Sequence, residues 1–286
     1  MNTNIGKPGI TTQSGSLLKK CTVNSIGFLT PYKHLPNFTK FVESNFICKT
    51  ENVLECDFIF AAPNYLNFII DDSFLKGSNV KAIITPSTGD NHINVSIPVI
   101  SIKNDKILKE IYSTAEHNLY LCLALPRHIG EIVELKEKTL GIVGYGRLGK
   151  LLKEISTNVF KKVLVCDTDF MDDNFFKDVD FVSINIDYRK SNIDYINKEY
   201  VGKYRKNIYI VNTSRGEVVN EEDIVNLIYD GKVLGYATDV IKEEHTSKAT
   251  VLKVENSKNI LITPHIGGTA IEAQEKAYKR VIEKLL

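Results

Sequence analysis

The chain has few cysteines, and none of them is in a paired arrangement. Five occur in 286 residues: Cys21, Cys48, Cys56, Cys122 and Cys166. No two of them form a C-x-x-C pair, the count is odd, and no Cys/His cluster has the spacing of metal ligands. The sequence therefore predicts reduced cysteines, with no disulfide framework and no metal site.

Excess charge and long apolar runs are also lacking. The formal net charge is +1, which favours neither nucleic acid nor an acidic membrane surface as a partner. The longest apolar runs, such as residues 119–125, are far too short to span a bilayer. The N-terminal segment is polar and lacks the apolar core of a secretory signal. These features predict a cytoplasmic protein with neither a membrane nor a nucleic acid as a partner.

Short apolar runs alternate with helix-like segments along the chain. In the first hundred residues, four runs predict buried strands (23–29, 57–62, 80–85 and 98–102), and two segments predict helices (38–45 and 71–77). A long helix is predicted over residues 106–129. Six further runs alternate with helical or loop segments, and an amphipathic helix ends the chain. The pattern predicts the α/β class, with an open α/β unit followed by a doubly wound parallel sheet.

A glycine-rich turn follows the first strand of the second half. The motif is G-x-G-x-x-G, formed by Gly144, Tyr145, Gly146, Arg147, Leu148 and Gly149. The first glycine permits the tight turn, the second lets a pyrophosphate approach the backbone, and the third lets the helix pack on the strand. The N-terminus of the following helix offers free N–H groups to the anion. A bare glycine triplet also occurs in ordinary turns, so its context decides the interpretation.

That context indicates NAD. An apolar strand precedes the turn, a helix pattern follows it, and a second apolar strand ends in Asp167, 18 residues after Gly149. A carboxylate at about this spacing accepts hydrogen bonds from the adenosine ribose and repels a 2′-phosphate, which favours NAD over NADP. Asp169 is the alternative if the strand ends two residues later. The competing interpretation is a structural turn beside a surface aspartate.

Three stretches at predicted strand ends carry reactive side chains. They contain Arg215, then Asp239 with Glu243 and Glu244, then His265. Each one alone has an ordinary structural explanation. Together they place an anion clamp, a carboxylate and an imidazole on the rim where ligands bind in this architecture.

With these motifs in their order, the sequence resembles the D-isomer-specific 2-hydroxyacid dehydrogenases, which include phosphoglycerate dehydrogenase-like members. The resemblance rests on STAEHNLYLCLAL, TLGIVGYGRLGK, VNTSRGEVVNEEDI, GYATDV and TPHIGG, and it covers about residues 80–268. It implies two Rossmann-like domains, of which the smaller, flavodoxin-like one binds substrate. The predicted bounds are 1–103, completed by 268–286, for the substrate domain and 104–267 for the NAD-binding domain.

The resemblance also implies roles by position. Arg215 corresponds to the arginine that grips the substrate, His265 to the acid/base, and Glu244 to its partner acid, with Glu243 as the neighbouring candidate. Asp239 corresponds to the residue that orients the nicotinamide amide, and Thr213 lines the nicotinamide pocket together with Ser214.

In the first domain, the segment TPSTGDNH resembles the family's substrate loop. Backbone N–H groups of Ser87, Thr88 and Gly89 are expected to hold the substrate carboxylate. A plain turn after a buried strand is the equal alternative. His92 and His117 are interpreted as structural. Phosphoglycerate-type arginines are missing at Ala61 and Thr85, which favours a small or unusual 2-hydroxy acid.

The predicted function is NAD-dependent interconversion of a 2-hydroxy acid and its 2-keto acid. A homodimer through the long helix is expected, although the sequence has no tryptophan-containing arm before the cofactor domain. Two alternatives stay open. One is an NADH-sensing or partner-binding protein on the same fold with little catalysis. The other is an NAD-dependent hydrolase of the adenosylhomocysteine type, which is disfavoured by the short chain.

Overall fold

The computed structural model describes residues 23–63, 66, 68–90, 92–167, 173–242 and 258–286. Its strands in the first hundred residues or so are β1 (Ser25–Phe28), β2 (Ile47–Lys49), β3 (Phe58–Phe60), β4 (Ile70–Asp71), β5 (Ala82–Thr85), β6 (Ile93–Asn94) and β7 (Val99–Ser101). The later strands are β8 (Thr139–Val143), β9 (Lys162–Cys166), β10 (Phe181–Ile184), β11 (Ile208–Asn212), β12 (Val233–Thr238) and β13 (Ile260–Ile262). The α-helices are α1 (Pro36–Asn45), α2 (Ser113–His128), α3 (Arg147–Ser156), α4 (Asp173–Asp178), α5 (Lys198–Gly202), α6 (Glu221–Tyr229) and α7 (Ile271–Glu283).

The strands form two larger parallel sheets. The first has the order β2-β1-β3-β5-β7, which is the flavodoxin-like order 2-1-3-4-5 when its strands are counted along the chain. The second has the order β13-β12-β11-β10-β8-β9, so the chain reverses its direction of winding between β8 and β10. Strands β4 and β6 pair separately. The predicted fold class, an α/β protein with two Rossmann-like sheets, is confirmed.

The apolar runs form strands because both faces of each sheet are covered. All five residues of β8 and all five of β11 are buried, as expected for parallel strands with helices on both sides. Position 144 at the end of β8 therefore lies at the carboxyl edge of the sheet, beside the reversal point, where ligands bind in this architecture.

The last helix packs against the first sheet. The ring of Tyr278 on α7 lies 4.8 Å from that of Phe60 and 5.3 Å from that of Phe38, measured between centroids. Val281 and Ile282 are fully buried in the same cluster. The first described strand and the last helix thus belong to the same sheet and its covering layer, and the domain bounds stay a prediction.

Two predicted helices differ from the structure. The helix predicted over 71–77 is replaced by the end of β4 and a series of turns. Asp71 is held extended by its pairing with Asn94 of β6, and the Asp72 carboxylate accepts hydrogen bonds from the N–H (2.8 Å) and the hydroxyl (3.0 Å) of Ser96. These contacts override the local helical pattern. The long helix over 106–129 is interrupted, since a 3-10 helix, Lys106–Glu110, precedes α2 and Ile111 between them is extended.

In the part of the chain that the structure describes, no helix has both the length and the apolar character needed to cross a membrane.

Candidate functional site

The glycine-rich turn joins β8 to α3, and packing explains two of its glycines. Gly144 has φ +93°, and a Cβ there would lie 2.7 Å from the carbonyl oxygen of Asn185. A Cβ at Gly149 would lie 2.2 Å from the carbonyl oxygen of Gly144. A Cβ at Gly146, in contrast, would meet no atom within 4 Å. Gly146 therefore borders open space, as the approach of a phosphate group requires.

The surroundings of this turn fit a dinucleotide. Gly146 is the N-cap of α3, no side chain caps that end, and the first turn of the helix carries no acidic residue. The N–H groups at the start of α3 are therefore available to bind an anion. Asp167 comes directly after β9 and is exposed. Asp169 lies outside the described residues.

A cleft of about 380 Å³ brings most of the predicted site residues together. It is lined by segments that follow β5 and β11, the turn before α7, the N-terminus of α3 and one face of α7. The predicted residues that line it are Ser87, Thr88, Gly89, Arg147, Leu148, Thr213, Arg215, Asp239 and His265. Those that do not line it are Gly144, Tyr145, Gly146, Gly149, Asp167 and Ser214. Glu243 and Glu244 lie outside the described residues.

Arg215 is held at the end of β11 by its own strand. Its Nη1 donates to the carbonyl oxygen of Ser214 at 2.6 Å. The fully buried Asn212 donates to the Arg215 carbonyl oxygen (2.9 Å) and accepts from the N–H (3.0 Å) and the hydroxyl (2.8 Å) of Ser214. The guanidinium reaches the substrate loop predicted from sequence, since a Cβ at Gly89 would lie 2.0 Å from Nη2.

The substrate loop has an internal bond. The Gly89 N–H donates to the Ser87 hydroxyl at 3.1 Å. An anion bound by this N–H would therefore have to replace the hydroxyl as its acceptor. Both residues are half-buried and line the cleft.

Asp239 supports the turn that carries His265. Its carboxylate accepts hydrogen bonds from the Thr263 hydroxyl (2.5 Å), the Ile266 N–H (2.9 Å) and the Gly267 N–H (2.7 Å), and it lies 3.2 Å from Nε2 of His117. Burial raises the pKa of Asp239, but these hydrogen bonds, with that from His117 the largest, outweigh burial and leave the pKa below its usual value.

His265 adopts a left-handed backbone at the rim of the cleft, with φ 53°. Its N–H donates to the carbonyl oxygen of Thr263 at 2.9 Å. Non-glycine residues are uncommon in this region, although histidine and asparagine enter it more readily than most. The backbone conformation of His265 is therefore strained, and such strain clusters at functional sites.

A buried polar network behind the cleft has no counterpart in the sequence-based prediction. Asn118 of α2 donates to the Thr213 hydroxyl (2.9 Å) and accepts from the Ser183 hydroxyl (2.9 Å). His117, interpreted as structural, bonds Thr263 at 2.9 Å and so joins α2 to the turn of His265. The signal available in the sequence is the position of two polar residues, His117 and Asn118, directly before the apolar run 119–125 of the same helix.

Arg147 joins the glycine-rich turn to the segment between the two sheets. Its Nη1 donates to the carbonyl oxygen of Leu108 at 3.2 Å, and burial lowers the pKa of the guanidinium.

Among the described residues, no three His, Cys, Asp or Glu side chains are grouped closely enough to hold a metal ion.

Comparison with known proteins identifies the family of the cofactor domain. Residues 125–267 match the model of the D-isomer specific 2-hydroxyacid dehydrogenase NAD-binding domain. The chain is 29% identical over 244 residues to a hydroxypyruvate reductase of Thermotoga maritima, covering 75% of this chain and 79% of that protein. It is 25% identical to a D-3-phosphoglycerate dehydrogenase of Synechocystis, covering 73% of this chain but only 43% of that one.

The fold is shared with solved structures. An NAD⁺-bound 3-phosphoglycerate dehydrogenase from Entamoeba histolytica superimposes with a TM-score of 0.73 at 22% identity, covering 92% of this chain and 94% of the other. The family match extends over half of the chain and includes the glycine-rich turn, Asp167 and Arg215. The chain therefore belongs to the D-isomer specific 2-hydroxyacid dehydrogenase family, and its cofactor is NAD.

Proposed function

We propose that this protein interconverts a 2-hydroxy acid and its 2-keto acid, with Arg215 as the substrate clamp and His265 as the acid/base. One observation carries the proposal: a single cleft is lined by Arg215, His265 and the loop Ser87–Gly89, next to the N-terminus of α3. An anion clamp, a proton donor and the cofactor turn thus share one space. Bound NADH supplies the hydride for the carbonyl carbon in the reductive direction.

Arg215 binds the carboxylate and the neighbouring carbonyl oxygen of the substrate. A guanidinium is always charged and pairs with carboxylates through two N–H groups. The N–H groups of Ser87 and Thr88, and that of Gly89 once its hydroxyl acceptor is displaced, complete the anion site.

His265 acts as the general acid/base. In the reductive direction the imidazolium donates a proton to the carbonyl oxygen, and in the oxidative direction the neutral ring removes it. Glu244 is proposed as the partner acid, whose carboxylate accepts a hydrogen bond from the imidazole and fixes the orientation of the ring. The support for this role is the resemblance of the segment that contains Glu244 to the family's motif.

The cofactor is held by the turn Gly144–Gly149 and by Asp167. The α3 N-terminus binds the pyrophosphate and Asp167 the adenosine ribose. Thr213 lines the nicotinamide site. Asp239 is proposed to orient the nicotinamide amide, and it also supports the turn that carries His265.

A homodimer through α2 and a cytoplasmic location are also part of the proposal. On α2 the side chains of Tyr120 and Leu123 are 52% and 39% exposed, which leaves an apolar face for a second copy.

The test is a rate assay that follows the loss of NADH absorbance. NADH and NADPH are each offered with glyoxylate, pyruvate, hydroxypyruvate and longer 2-keto acids. We expect turnover of at least one acid, with NADH strongly preferred. Tight NADH binding without turnover of any of them would contradict the proposal and favour the NADH-sensing alternative.

A further inference from the structure

The arrangement of the cleft decides where the variable group of a 2-keto acid lies. Arg215 and the loop Ser87–Gly89 take the carboxylate, and His265 takes the carbonyl oxygen. The hydride arrives from the side of Thr213. The third substituent of the carbonyl carbon is then left with the wall made by the segment after β3 and by α7.

Most described residues of that wall are apolar. After β3 they are Ala62, Pro63 and Ile69, and α7 adds Ala273 and Ala277 together with the polar groups of Gln274 and Tyr278. Ile69 is 53% exposed although it belongs to the cleft, so a ligand that covers it removes apolar surface from water. Ala61 and Thr85, which replace the arginines of phosphoglycerate-type members, are fully buried and do not line the cleft.

The charges of the cleft do not match a polyanion. Two guanidinium groups, Arg147 and Arg215, and two carboxylates, Glu217 and Asp239, are among the described lining residues, so their formal charges cancel. No lysine or arginine of the first sheet is among those lining residues. Arg215 takes the substrate carboxylate, and Arg147 belongs to the cofactor turn and donates to the carbonyl oxygen of Leu108. A second anionic group on the substrate would therefore lack a further guanidinium or ammonium group of the kind that phosphate recognition uses.

Two polar side chains at or beside this wall already have partners. The buried Gln274 of α7 has its Oε1 2.7 Å from Nε2 of His34. The buried His92, which also lines the cleft, has its Nε2 3.3 Å from the Thr85 hydroxyl. A hydroxyl on the substrate side chain would have to displace one of these contacts to bind Gln274 or His92.

We propose that the substrate is a monoanionic 2-keto acid, or the matching 2-hydroxy acid, with an uncharged aliphatic side chain. Phosphorylated, dicarboxylic and hydroxylated acids are then poor substrates. This inference rests on the proposed function, since it uses Arg215 and His265 to orient the substrate. The wall that carries Ile69 is the specificity-determining surface.

The test compares kcat/KM with NADH for 2-ketobutyrate, 2-ketoisocaproate, hydroxypyruvate and 2-ketoglutarate. We expect an aliphatic acid to exceed hydroxypyruvate and 2-ketoglutarate by about tenfold or more, because unmatched polar groups are costly in an apolar site. A preference for hydroxypyruvate or 2-ketoglutarate would overturn the inference and leave the proposed function standing. No turnover of any of these acids would overturn both the inference and the proposed function.

Two substitutions at Ile69 test the wall directly. Ile69→Asn should lower the ratio of kcat/KM for 2-ketoisocaproate over glyoxylate by about tenfold, and Ile69→Arg should raise the ratio for 2-ketoglutarate over 2-ketoisocaproate. The matched control is Ile47→Asn, since Ile47 is also 53% exposed but lies on the edge strand β2, away from the cleft. Equal ratios in the wild type, both Ile69 variants and the control would overturn the inference.

Discussion

The guanidinium of Arg215 occupies the space where a side chain at Gly89 would lie. A Cβ at Gly89 would come within 2.0 Å of Nη2 and 3.2 Å of Cζ. Gly89 belongs to the loop after β5, whereas Arg215 follows β11, so this contact joins segments that follow strands of the two different sheets. It places the proposed clamp directly against the proposed carboxylate loop.

Replacing Gly89 by alanine should therefore displace the clamp without unfolding the protein. The atom in the way is the end of a flexible side chain, which can move. We expect kcat/KM for the 2-keto acid to fall about 10- to 100-fold, mainly through KM, because the clamp is shifted by an ångström or more. Steady-state kinetics measure this, and the melting temperature should change little.

Gly202→Ala is the matched control. A Cβ at Gly202 would meet nothing within 4 Å, and the residue lies at the end of α5. Its kinetics should equal those of the wild type. If Gly89→Ala leaves KM unchanged as well, Arg215 does not bind substrate from this position.

His265→Asn should abolish most turnover and retain the cofactor site. Asparagine tolerates the left-handed backbone of position 265, so the substitution removes the imidazole without adding backbone strain. We expect kcat to fall by about 100- to 10,000-fold, the usual contribution of a general acid/base. NADH affinity, followed by fluorescence titration, should stay within a few-fold. A parallel loss of binding and turnover would assign His265 to the cofactor site instead.

The sequence predicts the local features of this site, and the family resemblance also predicts that Arg215, His265 and the loop Ser87–Gly89 come together, but the buried network behind the cleft is missed. The glycines at 144 and 149 follow a local rule, because a tight turn and close packing admit no side chain at either position. The strands follow from apolar runs that are buried on both faces. Asn118 gives no comparable signal, since it bonds Thr213 and Ser183, which are 95 and 65 residues away.

Contacts distant in sequence also explain why residues 71–77 do not form the predicted helix. These residues have a helix-like pattern, but Asp71 pairs with Asn94 in the strands β4 and β6, and the Asp72 carboxylate binds the N–H and the hydroxyl of Ser96. Composition and periodicity do not report which way such a side chain points. The contact between Gly89 and Arg215 is unpredictable for a related reason, because it depends on how the two sheets face each other.

Asp239→Asn should destabilise the protein at neutral pH. The native pKa of Asp239 is lowered, so the stabilisation is fully present above the ordinary aspartate pKa of about 4 and is lost as the pH falls below it. An amide would also present N–H groups to the Ile266 and Gly267 donors. We expect the free energy of unfolding to fall by about 1.5–3 kcal/mol at pH 7, and the difference from the wild type to shrink in acid.

Urea unfolding at several pH values measures this difference. Asp187→Asn is the control, since Asp187 is exposed and pairs with Arg189 at 3.0 Å, an arrangement that contributes little to stability. A difference at Asp239 that is independent of pH would show that its charge is not what holds the turn of His265.

Asp167→Ser should weaken the preference for NADH over NADPH. Asp167 is exposed at the carboxyl end of β9, on the side of the sheet edge where the glycine-rich turn begins. A carboxylate there repels a 2′-phosphate, and like charges in contact cost several kcal/mol. We expect the ratio of kcat/KM with NADH to kcat/KM with NADPH to fall by at least about tenfold.

Asp178→Ser is the matched control, because Asp178 is exposed and pairs with Lys162 at the opposite end of the same strand. If both variants keep the wild-type ratio, the ribose is bound by another residue and the cofactor preference has a different origin.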